Sequence, residues 1–133
     1  MAEAAQKTPF IPYRIIGGED AVRRLVNRFY DLMEEPGFVP ELRAIHAPDL
    51  GEMRIKLFEF LSGWLGGPPL YHQRPDSKCM GSAHAPFNIR EVERDQWMQC
   101  IRRAMDETEV PADLKPILDQ ALFRMADAMR KDA

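Results

Sequence analysis

The sequence predicts an all-α domain, and three observations carry that reading. Apolar residues recur at spacings of three and four through four separate stretches. No segment alternates apolar and polar side chains as a half-buried strand would, and the periodic stretches are bounded by glycine, proline or polar capping residues. With 133 residues, 45% of them apolar, the chain has the size of one ordinary domain that can bury a single core and one enclosed cofactor. An arm at residues 1–15 followed by a single domain at 16–133 is the expected division.

The elements follow in order. Residues 8–18 hold Pro9, Pro12, Gly17 and Gly18 and read as an arm or short helical turn ending in a joint. From Asp20, the residues Val22, Leu25, Val26, Phe29, Tyr30 and Met33 form one face of an amphipathic helix that stops near Glu35-Pro36-Gly37. A shorter piece spans residues 39–45. Asp49 can then cap a helix in which Met53, Leu57, Phe60, Leu61, Trp64 and Leu65 share a broad face, closed by Gly66-Gly67-Pro68-Pro69. Residues 70–87 carry Pro75, Gly81 and Pro86 without a clean period and read as loop, with at most a turn or two of helix before His84. Asn88 and Glu91 resemble a capping pair for a helix through Val92, Trp97, Met98, Ile101 and Met105, ending near Glu107. The last helix starts around Asp113, accepts Pro116 in its first turn, and lines up Ile117, Leu118, Ala121, Leu122, Met125 and Met129. Such a set fits either a plain up-and-down bundle or a globin-type sandwich, because periodicity does not choose between them.

Charge and cysteine content narrow the function. A net charge of −3 with no sustained basic stripe argues against a nucleic-acid partner. No run approaches the roughly 20 apolar residues that cross a bilayer, and residues 1–8 lack the apolar core of a leader. A soluble, unprocessed cytoplasmic protein without a membrane partner is therefore expected. Cys79 and Cys100 are too far apart for a metal knuckle and too few for a disulfide scaffold.

His84 is the first candidate for chemistry. It stands in Ser82-Ala83-His84-Ala85-Pro86-Phe87, where small neighbours would let a flat cofactor approach. An isolated loop histidine is more often solvated or locally hydrogen-bonded than a ligand, so the residues around it must decide. Neutral imidazole is the usual axial ligand of haem in oxygen-binding proteins, provided its other nitrogen has an acceptor.

Four segments together resemble the group II truncated haemoglobins. They are Ile16-Gly17-Gly18, Arg28-Phe29-Tyr30-Asp31-Leu32-Met33, Phe60-Leu61-Ser62-Gly63-Trp64-Leu65-Gly66-Gly67-Pro68, and His84-Ala85-Pro86-Phe87-Asn88-Ile89 with Glu93-Arg94-Asp95-Gln96-Trp97 behind it. The resemblance runs from about Pro9 to the last helix and implies a two-over-two helical sandwich around haem b. It implies His84 as the proximal iron ligand, Trp97 over the distal face and Tyr30 as the distal tyrosine. His46 falls where relatives carry tyrosine or histidine. Met53 and Leu57 match distal-helix positions, Phe60 packs on the haem edge, Lys56 is placed to meet a propionate, and Tyr71 and Phe87 complete the cofactor-binding set.

The residue types have a logic of their own. A diatomic gas polarised at ferrous iron gathers partial negative charge, so O–H from Tyr30, indole N–H from Trp97 and a ring N–H from His46 would slow its release. The expected partners are therefore dioxygen, carbon monoxide, nitric oxide or peroxide, at an iron that is pentacoordinate or weakly capped by His46 or Tyr30. A reductase that the sequence does not identify would complete the set. A redox enzyme using the same iron, of peroxidase or nitric oxide dioxygenase type, is the alternative, with His46 as its distal acid–base candidate. One departure from the family stands out. The arginine that often precedes the proximal histidine is Ala83 here, leaving propionate anchoring to Lys56, Tyr71, Arg74 or Lys78 and implying weaker haem retention.

Overall fold

The stretch with the clearest helical period becomes the centre of the molecule. A computed structural model describes residues 10–133, so the first nine residues of the expected arm lie outside the described residues. Among these, α1 spans Pro12–Ile16, α2 Glu19–Met33, α3 Pro40–Ala44, α4 Gly51–Trp64, α5 Met80–His84, α6 Glu91–Glu107 and α7 Lys115–Ala128, and there is no strand. Helix α2 buries Val22, Leu25, Val26, Phe29, Tyr30, Leu32 and Met33. Glu19 and Asp20 in its first turn complement the positive end of the helix dipole.

Two helix pairs make the fold. Helix α2 packs on α4 and crosses α6, while α6 packs on α7 and also receives α3. Met98, Ile101, Ala104 and Met105 of α6 meet the α2 face, and Leu118 and Leu122 close the far side. This is the all-helical two-on-two arrangement. Arg54 of α4 ties the first pair together through the Asn27 carbonyl at 3.0 Å, Asp31 at 2.7 Å and Glu34 at 3.3 Å.

The corners explain how the short pieces reach their places. Gly17 and Gly18 adopt φ of 119° and 78°, a left-handed path that lets α1 turn into α2. Helix α1 then lies against the end of α4, with the Tyr13 N–H donating to the Leu65 carbonyl at 2.9 Å. At Gly67 a side chain has no room, since a Cβ would fall 2.5 Å from the Tyr13 ring. Buried Ser62 closes the same corner by donating to the Pro68 carbonyl at 2.7 Å.

Three helix starts, those of α6, α4 and α7, differ from the sequence reading, whereas the loop at 70–87 agrees with it. The cap of α6 is Arg90 with Glu93, not Asn88 with Glu91, because the chain stays extended through Arg90 before the helix starts. Asp49 accepts from the Gly51 N–H at 2.8 Å from one position before the cap, which is Leu50. The loop at 70–87 contains one short helix, α5, that ends on His84. Pro116 does sit in the first turn of α7, which begins two residues later than expected.

Glu93 is 2% exposed, and its carboxylate accepts from the Arg90 backbone N–H at 2.8 Å and from the Arg90 guanidinium at 2.5 and 3.1 Å. Burial pushes its pKa up, but the Arg90 bonds together outweigh it and hold the carboxyl below its ordinary value of 4.5. A depressed carboxylate stabilises the fold above the unfolded value and loses that contribution as pH falls through the folded one. Glu93→Ala should therefore cost about 2 kcal/mol at neutral pH in denaturant unfolding. The gap from wild type should narrow as the solution is acidified below 4.5.

Candidate functional site

Helix α4 has more apolar surface than the protein covers. Phe58 and Leu61, with Leu65 just beyond the helix, face the core and are buried, whereas Met53, Leu57, Phe60 and Trp64 are only partly buried at its edge. A helix with a single core contact normally shows solvent a polar face. Here a second apolar face is only partly covered by the protein, a surface suited to a flat apolar group.

Tyr30 and Trp97 both meet Phe29, and His46 meets Tyr30. The Phe29 ring lies 5.0 Å from that of Tyr30, edge to face, and 5.3 Å from that of Trp97, while His46 lies 6.3 Å from Tyr30. They arrive from α2, from α6 and from the turn after α3. Neither the Tyr30 hydroxyl nor the Trp97 indole N–H bonds to another described residue. No side-chain nitrogen or oxygen there is both sealed from solvent and unpartnered, so both donors open onto accessible space. Burial pushes the Tyr30 pKa well up, against a weaker opposite pull from Arg54, so the hydroxyl keeps its proton.

His46 is held by the backbone of α3. Its Nδ1 lies 2.8 Å from the Leu42 carbonyl, and the Leu42 N–H donates to Gln96 Oε1 at 2.8 Å. A carbonyl can only accept, so Nδ1 carries the proton and the neutral ring presents a bare lone pair at Nε2. Burial lowers the His46 pKa, the Leu42 bond offsets part of that, and the charges of Arg43 and His84 lower it further. The neutral ring therefore offers one nitrogen, as an acceptor, rather than either nitrogen as a donor.

His84 repeats the arrangement at the end of α5. Its Nδ1 lies 2.7 Å from the Met80 carbonyl, which leaves the Nε2 lone pair for a metal. The surrounding candidates are largely engaged. Lys56 pairs with Glu52 at 2.9 Å across one helical turn, and Arg74 forks onto Glu59 of α4. The Tyr71 hydroxyl donates to the Lys78 carbonyl at 2.9 Å and accepts from the Lys78 N–H at 3.1 Å, while its ring meets Phe60 edge-on at 6.0 Å. Phe87 is 42% exposed. Cys79 is exposed, and Ser82 contacts lower its thiol pKa, whereas burial pushes the Cys100 thiol up to about 12.

Sequence reasoning missed Arg54, whose guanidinium lies 5.9 Å from the centre of the Tyr30 ring, and Gln96, which fixes the Leu42 peptide that fixes His46. Gln96 stands next to Trp97, yet no spacing rule links it to Leu42.

Comparison with known proteins agrees with this geometry. The family described as bacterial-like globin matches residues 12–131. The group 2 truncated hemoglobin YjbI of Bacillus subtilis is 34% identical over 107 residues, covering 80% of this chain and 78% of that one. The group II 2-on-2 hemoglobin of Agrobacterium tumefaciens superposes with a TM-score of 0.88 at 37% identity, over 95% of this chain and 98% of the other. A cold-adapted truncated hemoglobin from the Antarctic bacterium Pseudoalteromonas haloplanktis TAC125 gives 0.86 at 36% identity, over 91% and 98%. The chain belongs to the bacterial-like globin family, in its group II truncated, two-on-two branch, and the family brings with it haem as cofactor and dioxygen as a ligand.

Proposed function

We propose that this globin binds haem b through His84 and holds a diatomic gas, dioxygen, carbon monoxide or nitric oxide, beside Tyr30, Trp97 and His46. The single observation that carries the reading is the His84 imidazole. Its Nδ1 is committed to the Met80 carbonyl at 2.7 Å, so the ring is turned and its Nε2 lone pair kept for iron. The half-covered apolar face of α4, with Met53, Leu57 and Phe60, supports the same placement of the cofactor. When bound, haem supplies reversible coordination of the gas.

The chain's own residues do the rest. Tyr30 keeps its proton and donates toward partial negative charge. Trp97 offers an indole N–H and no acceptor, and its ring shields the space. His46, neutral and with its proton spent on Leu42, gives the gas no donor; its ring, 6.3 Å from that of Tyr30, lines the space instead. For the propionates, Lys56 is the best candidate. Its pairing with Glu52 is an exposed ion pair of small worth and easily exchanged, whereas Arg74 forks onto Glu59 in a stronger geometry.

Two experiments test this. Wild type and His84→Gly, reduced and exposed to carbon monoxide, should give different absorption spectra, with the histidine-ligated spectrum lost in the variant; identical spectra contradict the assignment. In stopped-flow displacement, Tyr30→Phe should release dioxygen at least about tenfold faster, since a hydrogen bond to a charged acceptor contributes roughly 1.5–3 kcal/mol. His46→Leu should not accelerate release comparably, because the neutral ring gives no donor at Nε2. Equal acceleration in both would restore His46 as a donor.

A further inference from the structure

The loop that leads from His84 into α6 is tied down from the far end of the fold. Lys131, beyond α7, places its ammonium 3.0 Å from the His84 carbonyl, 3.5 Å from that of Ala85 and 3.0 Å from that of Phe87. Its backbone N–H donates to the Ile89 carbonyl at 2.7 Å. The neighbours of Lys131 brace it. Arg130 pairs with Asp127 at 3.4 Å and Asp132 at 3.0 Å, and Asp132 accepts from the Glu91 N–H at 3.1 Å.

The physics of α5 makes this contact consequential. A helix of five residues does not hold itself together, because nucleation costs more than so few bonds return. Its last carbonyls have no donors within the helix, and its C-terminal end attracts a cation. A lysine on a protein surface normally keeps its head in water. Here one ammonium gathers three carbonyls, that of His84 at the end of the helix and those of Ala85 and Phe87 beyond it.

We propose that Lys131 is a positioning residue for the His84 imidazole, a role that rests on the reading of His84 as the iron ligand. Residue 84 is restrained at its ring and at its backbone. Its Nδ1 is fixed by Met80, and its carbonyl accepts locally from the Phe87 N–H at 3.1 Å and, from beyond α7, from Lys131. Without the Lys131 tie the α5 turn and its following loop can shift as a unit and carry the Nε2 lone pair with them, while the local bonds to Met80 and Phe87 stay intact.

Haem-loaded wild type, Lys131→Met and Lys131→Arg distinguish the cases. Lys131→Met keeps the aliphatic stem and removes the charge, so it should lose haem to apomyoglobin about tenfold faster, the usual scale for removing support behind a metal ligand. It should also shift or broaden the iron–histidine stretching line in the resonance Raman spectrum of the reduced protein. Lys131→Arg should restore both. If the methionine variant melts at a lower temperature, the arginine variant still decides: an unrestored line with a restored melt overturns the role. An unchanged line and haem-loss rate in Lys131→Met also overturn it. A wild-type line that persists in His84→Gly would instead overturn the ligand assignment on which this role depends.

Discussion

Each of the two histidines of the site donates its Nδ1–H to the carbonyl four residues earlier, Leu42 for His46 and Met80 for His84. Much else depends on that bond. It selects which tautomer the neutral ring adopts and aims Nε2 away from the local backbone. Whatever holds the two carbonyls therefore holds the site. On one side this is Gln96 acting on the Leu42 peptide, and on the other it is the short α5 turn with Lys131 behind it. The same local motif thus leaves an Nε2 lone pair free in both places, one proposed for iron and the other beside a tyrosine.

Helix α4 shows how stability and function divide one element. Its inward face packs with α2 to form the core, and Arg54 pins the pair through Asn27, Asp31 and Glu34. The other face leaves Met53, Leu57, Phe60 and Trp64 only partly covered. Apolar area left in water forgoes roughly 25 cal/mol per Å² of stabilisation. A cofactor seated there would recover it, and binding would raise the stability of the folded chain by linkage. The aromatic contact of Phe60 with Tyr71, and the staple between Tyr71 and Lys78, bring the long loop to the edge of that face.

Much of this was legible in the sequence because it rests on local periodicity or a contiguous motif. The α2 face from Val22 to Met33 and the proline in the first turn of α7 were read correctly, since each depends on residues within a turn or two. The family could be recognised from four short strings in the right order. The cap of α6 was misplaced because Asn88 is the better capping residue by type, while Arg90 wins through a tertiary preference, with Glu93 buried beneath it. Arg54, Gln96 and Lys131 were invisible for a related reason. Each acts across 20 residues or more, on a backbone carbonyl, amide or carboxylate that no spacing rule connects to it. The Leu42 bond that holds the His46 ring is likewise something composition does not reveal.

Of the chain's two tryptophans, Trp64 stands on the partly covered face of α4 and Trp97 beside Phe29, the two places proposed to face the cofactor. Titrating haem into the haem-free protein, read at once by tryptophan emission and by the Soret band, therefore tests the central claim directly. Quenching of the emission that saturates at one haem per chain, together with a Soret band distinct from that of free haem, is the expected result. Emission that survives saturating haem, or a Soret band that stays that of the free cofactor, would contradict it.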